Sequence, residues 1–207
     1  MSIENYLAFV LASFVVVLIP GPTVMLVVSQ ALTSGKRSVI PLAAGVGLGD
    51  LIAMTLSFVG LGAVLATSAV LFSVLKWAGA IYLVYLGVKI FRAPVSAMGN
   101  ETAVLPSSGR AQFLSAFLTT TLNPKSIIFF VAFVPQFVSA HAPLVPQFLI
   151  LGSTFLAMGM LNAAAYASFA GKLRGLLQTP KAVKRFNRAG GSVLVGAGIL
   201  TAAVKQG

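Results

Sequence analysis

Residues 18–23, Leu18-Ile19-Pro20-Gly21-Pro22-Thr23, interrupt an apolar run that extends from Tyr6 to Leu32. Two prolines this close remove two helix N–H donors and strip the carbonyls near residues 16 to 18 of their usual partners. From Tyr6 to Gly21 is 15 residues, about 22 Å of helix, so the break falls near the middle of a hydrocarbon core of roughly 30 Å. A second apolar run, Gln112–Val138, is interrupted in the same way at Thr119-Thr120-Thr121-Leu122-Asn123-Pro124-Lys125, 12 residues in, or about 18 Å. Either break alone reads as an ordinary transmembrane proline kink. Paired breaks in corresponding helices are the sequence mark of a transporter's binding site.

The composition explains why lipid is the solvent to reason in. Of the 207 residues 58% are apolar and only 8% are charged, with a mean hydropathy of +0.99, against a charged fraction of roughly 25% in soluble domains. A soluble chain has no means of hiding that much apolar surface. The net charge of +11 comes from 14 Lys and Arg against Glu4, Asp50 and Glu101. It is too sparse and too clustered for a soluble nucleic-acid binder, so no nucleic-acid partner is expected. The chain has no cysteine and a single histidine, His141, which excludes thiolate chemistry and a His-rich metal site. With no intramembrane His and no G-x-S-x-G, an intramembrane enzyme lacks its nucleophile and base. No enzyme activity, cofactor or metal is expected.

Six apolar stretches are long enough to cross a membrane: Tyr6–Leu32, Val39–Ala66, Ala69–Phe91, Gln112–Val138, Val145–Phe169 and the shorter Ala189–Val204. The reading is an all-α, polytopic membrane protein, a single transmembrane domain over 1–207. Glu4 and the lack of a basic residue before the first run speak against a cleaved signal peptide. Basic residues sit in the odd-numbered loops: Lys36 and Arg37, then Lys89, Arg92 and Arg110, then Lys172, Arg174, Lys181, Lys184, Arg185 and Arg188. The positive-inside bias makes those loops cytoplasmic and puts both termini outside, with Lys205 a single vote against. Residues 93–110, rich in Pro, Gly and Ser, read as a cytoplasmic linker between a first repeat at 1–92 and a second at 111–207. Three spans per half would place the second half upside down, as in inverted-repeat transporters.

Asp50 is the one acid inside a span, 11 residues past Val39, or about 16 Å in. A lone carboxylate at that depth must pair, take a proton or line water. Lys125, the mid-membrane cation of the other half, is its natural partner, with Lys76 a weaker one that would snorkel to the interface. A structural Asp50–Lys125 ion pair and a proton-coupling carboxylate both remain open. Thr23, Ser29, Gln30, Thr119, Thr120, Thr121, Asn162 and Tyr166 could face a cavity or bond between helices. Asn123, beside a break, is the one expected to meet a ligand. Gly45 and Gly49 form a G-x-x-x-G packing face, and Ser192 with Gly196 a similar one; Gly79, Tyr82, Leu83, Leu86 and Gly87 read as helix contact. The basic segment Lys172–Arg188, divided by Pro180, should lie on anionic lipid headgroups. The glycine faces also permit a homodimer.

Pro20-Gly21-Pro22, Gly45-x-Gly47-x-Gly49-Asp50, Lys76-x-x-Gly79-Ala80-x-Tyr82-Leu83-x-Tyr85-Leu86-Gly87 and Asn123-Pro124-Lys125, in this order, resemble the LysE/RhtB amino-acid exporter family. The resemblance covers nearly the whole chain, with motifs that are individually short. It implies a bacterial inner-membrane exporter of amino acids or their derivatives driven by the proton gradient. It also implies that Asp50, Asn123, Pro124 and Lys125 lie near the transport path. A proton-driven antiporter for a small zwitterion, working by alternating access, is the reading that follows. A metal or other small-cation exporter of similar architecture is the alternative, and it lacks the several carboxylate or His ligands such ions favour.

Overall fold

The computed structural model describes residues 1–67, 69–92, 108–139, 142–172 and 179–203. Most of the linker, with Glu101, lies outside the described residues, as do His141, Arg174 and Lys205 and the side chains of Lys76, Leu83 and Leu86. Among the described residues every regular element is helical: α1 (Ile3–Leu18), α2 (Pro22–Ser34), α3 (Val39–Thr67), α4 (Ala69–Arg92), α5 (Gly109–Thr121), α6 (Pro124–Ile128), α7 (Leu144–Ser168) and α8 (Pro180–Ala203). Ser2 caps α1 by accepting from the Asn5 N–H, and Ser108 caps α5 by accepting from Ala111. After α6 the chain winds through a π-helical turn, Phe129–Phe133, and a 3-10 turn, Val134–Phe137. α8 begins at Pro180, nine residues before the span read from sequence, so the basic residues Lys181 to Arg188 form its first turns. Proline suits that first position because no intrahelical partner is lost there.

By length and apolarity, α7 is long enough to cross a membrane, and α5 with Pro124–Phe137 is so when the two are taken together, with a bend of 46° at the break between them. The run Pro22–Ala63 holds 42 apolar-rich residues, about twice what a single crossing needs. Gly35, at a φ of 63° that favours glycine, opens the 3-10 turn Gly35–Ser38 between α2 and α3. The chain reverses there, since Val27 of α2 and Val46 of α3 line the same cleft. Outward-facing residues are apolar as well: Ile3, Leu7, Leu11 and Phe14 form an exposed stripe along α1 at helical spacing. A helix apolar on both its buried and its exposed faces belongs in lipid.

Each interrupted helix packs mainly on the other half. The α1–α2 pair rests on α7, with α1 also touching α8, while the segment from α5 through the π-helical turn rests on α3 and α4. α3 against α7 and α4 against α8 complete the arrangement. Glycines set the closest approaches. A Cβ on Gly49 would stand 2.7 Å from Thr120 Cβ and 2.9 Å from the Phe117 carbonyl, and one on Gly45 would run into Phe113 and Ala116. The Gly45/Gly49 face therefore seats α5, as its spacing suggested. The face expected at Ser192 and Gly196 is corrected: Gly196 meets nothing within 4 Å. α4 instead meets the adjacent face of α8, one residue earlier, where a Cβ on Gly87 would lie 2.7 Å from the Gly191 carbonyl and 2.8 Å from the Val195 Cγ2.

Two apolar layers result. One is aromatic, with Phe9, Phe129, Phe130, Phe133, Phe137 and Phe155 interlocked at ring separations such as 4.6 Å for Phe129–Phe133 and 5.5 Å for Phe9–Phe137. The other is built from small aliphatic residues of α2, α3, α5 and α7, among them Val24, Val27, Ala43, Val46, Ala116 and Ala163.

Gly49→Val should lower the thermal unfolding midpoint in detergent by several degrees or prevent folding, because overpacking costs about 1–3 kcal/mol. Gly60→Ala, where an added Cβ meets nothing within 4 Å, should leave the midpoint within about a degree or raise it slightly. A thermal melt of both variants checks the contrast.

Candidate functional site

A polar cleft lies at the helix breaks, lined from α1–α2 by Gly21 and Thr23, from α3 by Asp50, from α5 and α6 by Thr120, Asn123 and Lys125, and from α7 by Asn162 and Tyr166. It holds about 550 Å³ of empty space counting its open mouth. Pro20, Pro22 and Pro124 are outside its lining and act by ending the helices that reach it.

At the first break the released carbonyls are collected by side chains of the second half. The Asn162 Nδ2 donates to the Val17 carbonyl at 3.2 Å, the Tyr166 hydroxyl to Leu18 at 2.9 Å and the Lys125 Nζ to Ile19 at 2.8 Å. Asn162 and Tyr166 stand four apart on α7 and so share one helix face. In hydrocarbon no water substitutes for these donors, so the break is tolerable only where such side chains reach it. The lysine stem lies beside Gly21, where an added Cβ would stand at an ordinary contact distance of 3.6 Å from Lys125 Cδ.

The second break is closed locally. The Asn123 Oδ1 accepts from the Lys125 backbone N–H at 3.0 Å and caps α6. Its Nδ2 donates to Thr23 Oγ1 at 3.1 Å, and Thr120 Oγ1 reaches the same hydroxyl at 3.4 Å. The two breaks are therefore bonded to each other three times, through Asn123–Thr23, Thr120–Thr23 and Lys125–Ile19.

Asp50 projects from α3 into the cleft and is 4% exposed. Its Oδ2 occupies the space that a Cβ on Gly159 of α7 would need, at 2.7 Å. The direct ion pair with Lys125 that the sequence suggested is replaced by a different arrangement. The ammonium is taken by the Ile19 carbonyl, and the two charges share the cleft and act on each other across it. Among the described residues no side chain donates a hydrogen bond to the carboxylate.

Of the sequence candidates, Asp50, Asn123, Lys125, Thr23, Thr120, Asn162 and Tyr166 come together here. Ser29, Gln30, Thr119 and Thr121 do not line the cleft; the Thr121 hydroxyl bonds back to the Phe117 carbonyl of its own helix. Gly159 escaped the sequence reading, because its value depends on the register of α7 against α3. So did Gln147, whose side chain accepts from the Ser139 N–H and donates to the Ser139 and Pro143 carbonyls, fastening the turn that leads into α7.

The LysE type translocator family matches residues 14–204, and the chain belongs to that family. It is 34% identical over 206 residues to the homoserine/homoserine lactone efflux protein of Salmonella typhimurium, covering 100% of both chains. The protein of the same description from Salmonella typhi is also 34% identical over 206 residues and fully covered. A membrane protein of Vibrio cholerae serotype O1, described as uncharacterized, is 35% identical over 207 residues, covering 99% of this chain and 100% of its own. No solved structure matches the chain. The protein is thus a membrane translocator, and its two Salmonella relatives are described as homoserine/homoserine lactone efflux proteins.

Tyr166→Phe and Asn162→Leu each leave one α1 carbonyl without a donor. Each should cost about 1–3 kcal/mol and lower the unfolding midpoint by a few degrees. The double variant should lose roughly the sum if the two donors act independently. Thermal melts in one detergent check both statements.

Proposed function

We propose that this member of the LysE type translocator family exports a small amino acid or amino-acid derivative in exchange for protons. The observation that carries the reading is Asp50, a buried carboxylate given room by Gly159 and left without a hydrogen-bond donor among the described residues. An unneutralised carboxylate within the membrane costs about 2.5–3.5 kcal/mol or more. A proton or a substrate ammonium each removes that cost, and one excludes the other. Mutual exclusion at one acid is the requirement for antiport. The Salmonella relatives are described as moving homoserine and its lactone. Both molecules carry an ammonium, and only the open acid carries a carboxylate. Homoserine and its lactone suit this cleft, with Asp50 taking the ammonium. Lys125 and the first N–H groups of α2, beside Thr23, take the carboxylate where there is one.

Six crossings in two inverted three-helix halves accommodate this chemistry. The exchange of packing partners between the halves, and the meeting of the two breaks at one cleft, support that arrangement. Alternating access is then rocking of the halves about the cleft, with the aromatic and aliphatic layers closing it in turn. The loops bearing Lys36 and Arg37, Lys89 and Arg92, and Lys181 to Arg188 lie on the cytoplasmic side of the bacterial inner membrane, with both termini outside. The basic first turns of α8 rest there on anionic headgroups.

Proteoliposomes loaded with homoserine should show efflux that accelerates when a pH gradient is imposed and collapses when an ionophore removes it; efflux indifferent to the gradient would end the antiport reading. Asp50→Asn should abolish gradient-driven efflux of homoserine and of its lactone, with the protein still present in the membrane. Lys125→Ala should depress homoserine efflux about tenfold more than lactone efflux, the loss expected for one charge-assisted contact. Equal losses would assign the lysine to holding Ile19 alone.

A further inference from the structure

Among the buried polar groups that the export reading leaves unused, two share one helix. The Gln30 Oε1 and the Ser34 Oγ, both on α2, have no hydrogen-bond partner among the described residues, and Gln30 is 7% exposed. An unpaired buried group of this kind is destabilising, and a native structure that keeps two on one helix calls for a cause. Their placement supplies one. At 100° per residue, Thr23, Val27, Gln30 and Ser34 fall within about 60° of one another on α2. Thr23 and Val27 line the cleft. Val27, 1% exposed, also belongs to the aliphatic layer that lies beyond it. Past Ser34 the chain reaches the exposed turn of Gly35, Lys36 and Arg37. One face of α2 therefore leads from the cleft, through the aliphatic layer, to the basic turn, and it carries polar atoms where apolar ones would pack better.

The layer crossed is also the one more easily parted. Its members are mostly valine and alanine on four separate helices, whereas the opposite layer is tied by interlocked phenylalanine rings. We propose that the transport route runs from the cleft along this face of α2, and that Gln30 and Ser34 contact the substrate when the aliphatic layer opens. The Gln30 amide oxygen and the Ser34 hydroxyl then accept from the ammonium or hydroxyl of a small amino acid. The proposal rests on the export reading and makes Gln30 a determinant of passage rather than of folding.

The chain contains no cysteine, so a single introduced thiol is the sole target for a thiol reagent. In inside-out membrane vesicles, Gln30→Cys and Ser34→Cys should react with a membrane-impermeant methanethiosulfonate, and added homoserine should slow the reaction. Val28→Cys, fully buried on another face of α2, should stay unmodified. A second measurement separates route from packing. Gln30→Met removes the unpaired amide, so its unfolding midpoint should be unchanged or higher while homoserine efflux falls about tenfold. Cysteines at 30 and 34 that resist modification in protein with the parental unfolding midpoint would overturn the route, as would a Gln30→Met variant exporting homoserine at the parental rate. Parental vesicles that move no homoserine would instead overturn the substrate reading, and the labelling pattern would still decide the route.

Discussion

Three consecutive carbonyls at the end of α1 constrain the rest of the molecule. In water, the Val17, Leu18 and Ile19 oxygens would be hydrated and the prolines beyond them would matter little. In a bilayer each must receive a donor from protein or from within a protein-lined cavity, and here the donors are Asn162, Tyr166 and Lys125 of the second half. Those bonds fix the end of α1 against α7 and against the second break. Asn123, held by its own cap on α6, then reaches Thr23 at the start of α2. The polar cleft is what remains where the two broken helices and two unbroken ones meet.

The same constraint separates the two charges. Among the described residues Lys125 is the one charged donor at the break, and its amino group goes to a carbonyl rather than to Asp50. The carboxylate is left facing the cleft with a glycine behind it. A direct ion pair would have neutralised both groups and given neither a reason to bind anything. Charges that share a cavity without closing on each other keep an electrostatic field for a ligand with opposite ends, which is the form of an amino acid.

Much of this was legible in the sequence because it depends on residue type and depth along a helix. Proline positions locate both breaks; the lone acid in an apolar span locates Asp50; the Asn-Pro-Lys run puts a polar side chain and a cation beside the second break, while the capping role of Asn123 emerges only in the structure. What escaped depends on register between helices distant in sequence. The partner of Lys125 is a backbone atom 106 residues away, to which no side-chain identity points. Gly159 matters through where α7 slides against α3. The α4–α8 crossing lies at Gly87 and Gly191 rather than at Gly196 because several small residues along α8 are equally suited to a close approach. A spacing rule names the candidates, and the packing of the partner helix chooses among them.

The two breaks differ in a way that bears on how the halves move. The second is capped by its own Asn123 and keeps that bond wherever α6 goes. The first has no local cap: its carbonyls are bonded only across the interface, so any rocking that parts α1 from α7 must break those bonds or carry them along. Each is worth about 1 kcal/mol net when made and more when left open in lipid. Three of them match the few kcal/mol that separate the states of a two-state protein. A substrate or water entering the cleft supplies alternative donors and lowers the cost of parting. In the rocking proposed above, release of the halves would thereby be tied to occupancy of the cleft, because an empty cleft offers those carbonyls no donors except the bonds that hold α1 to the second half.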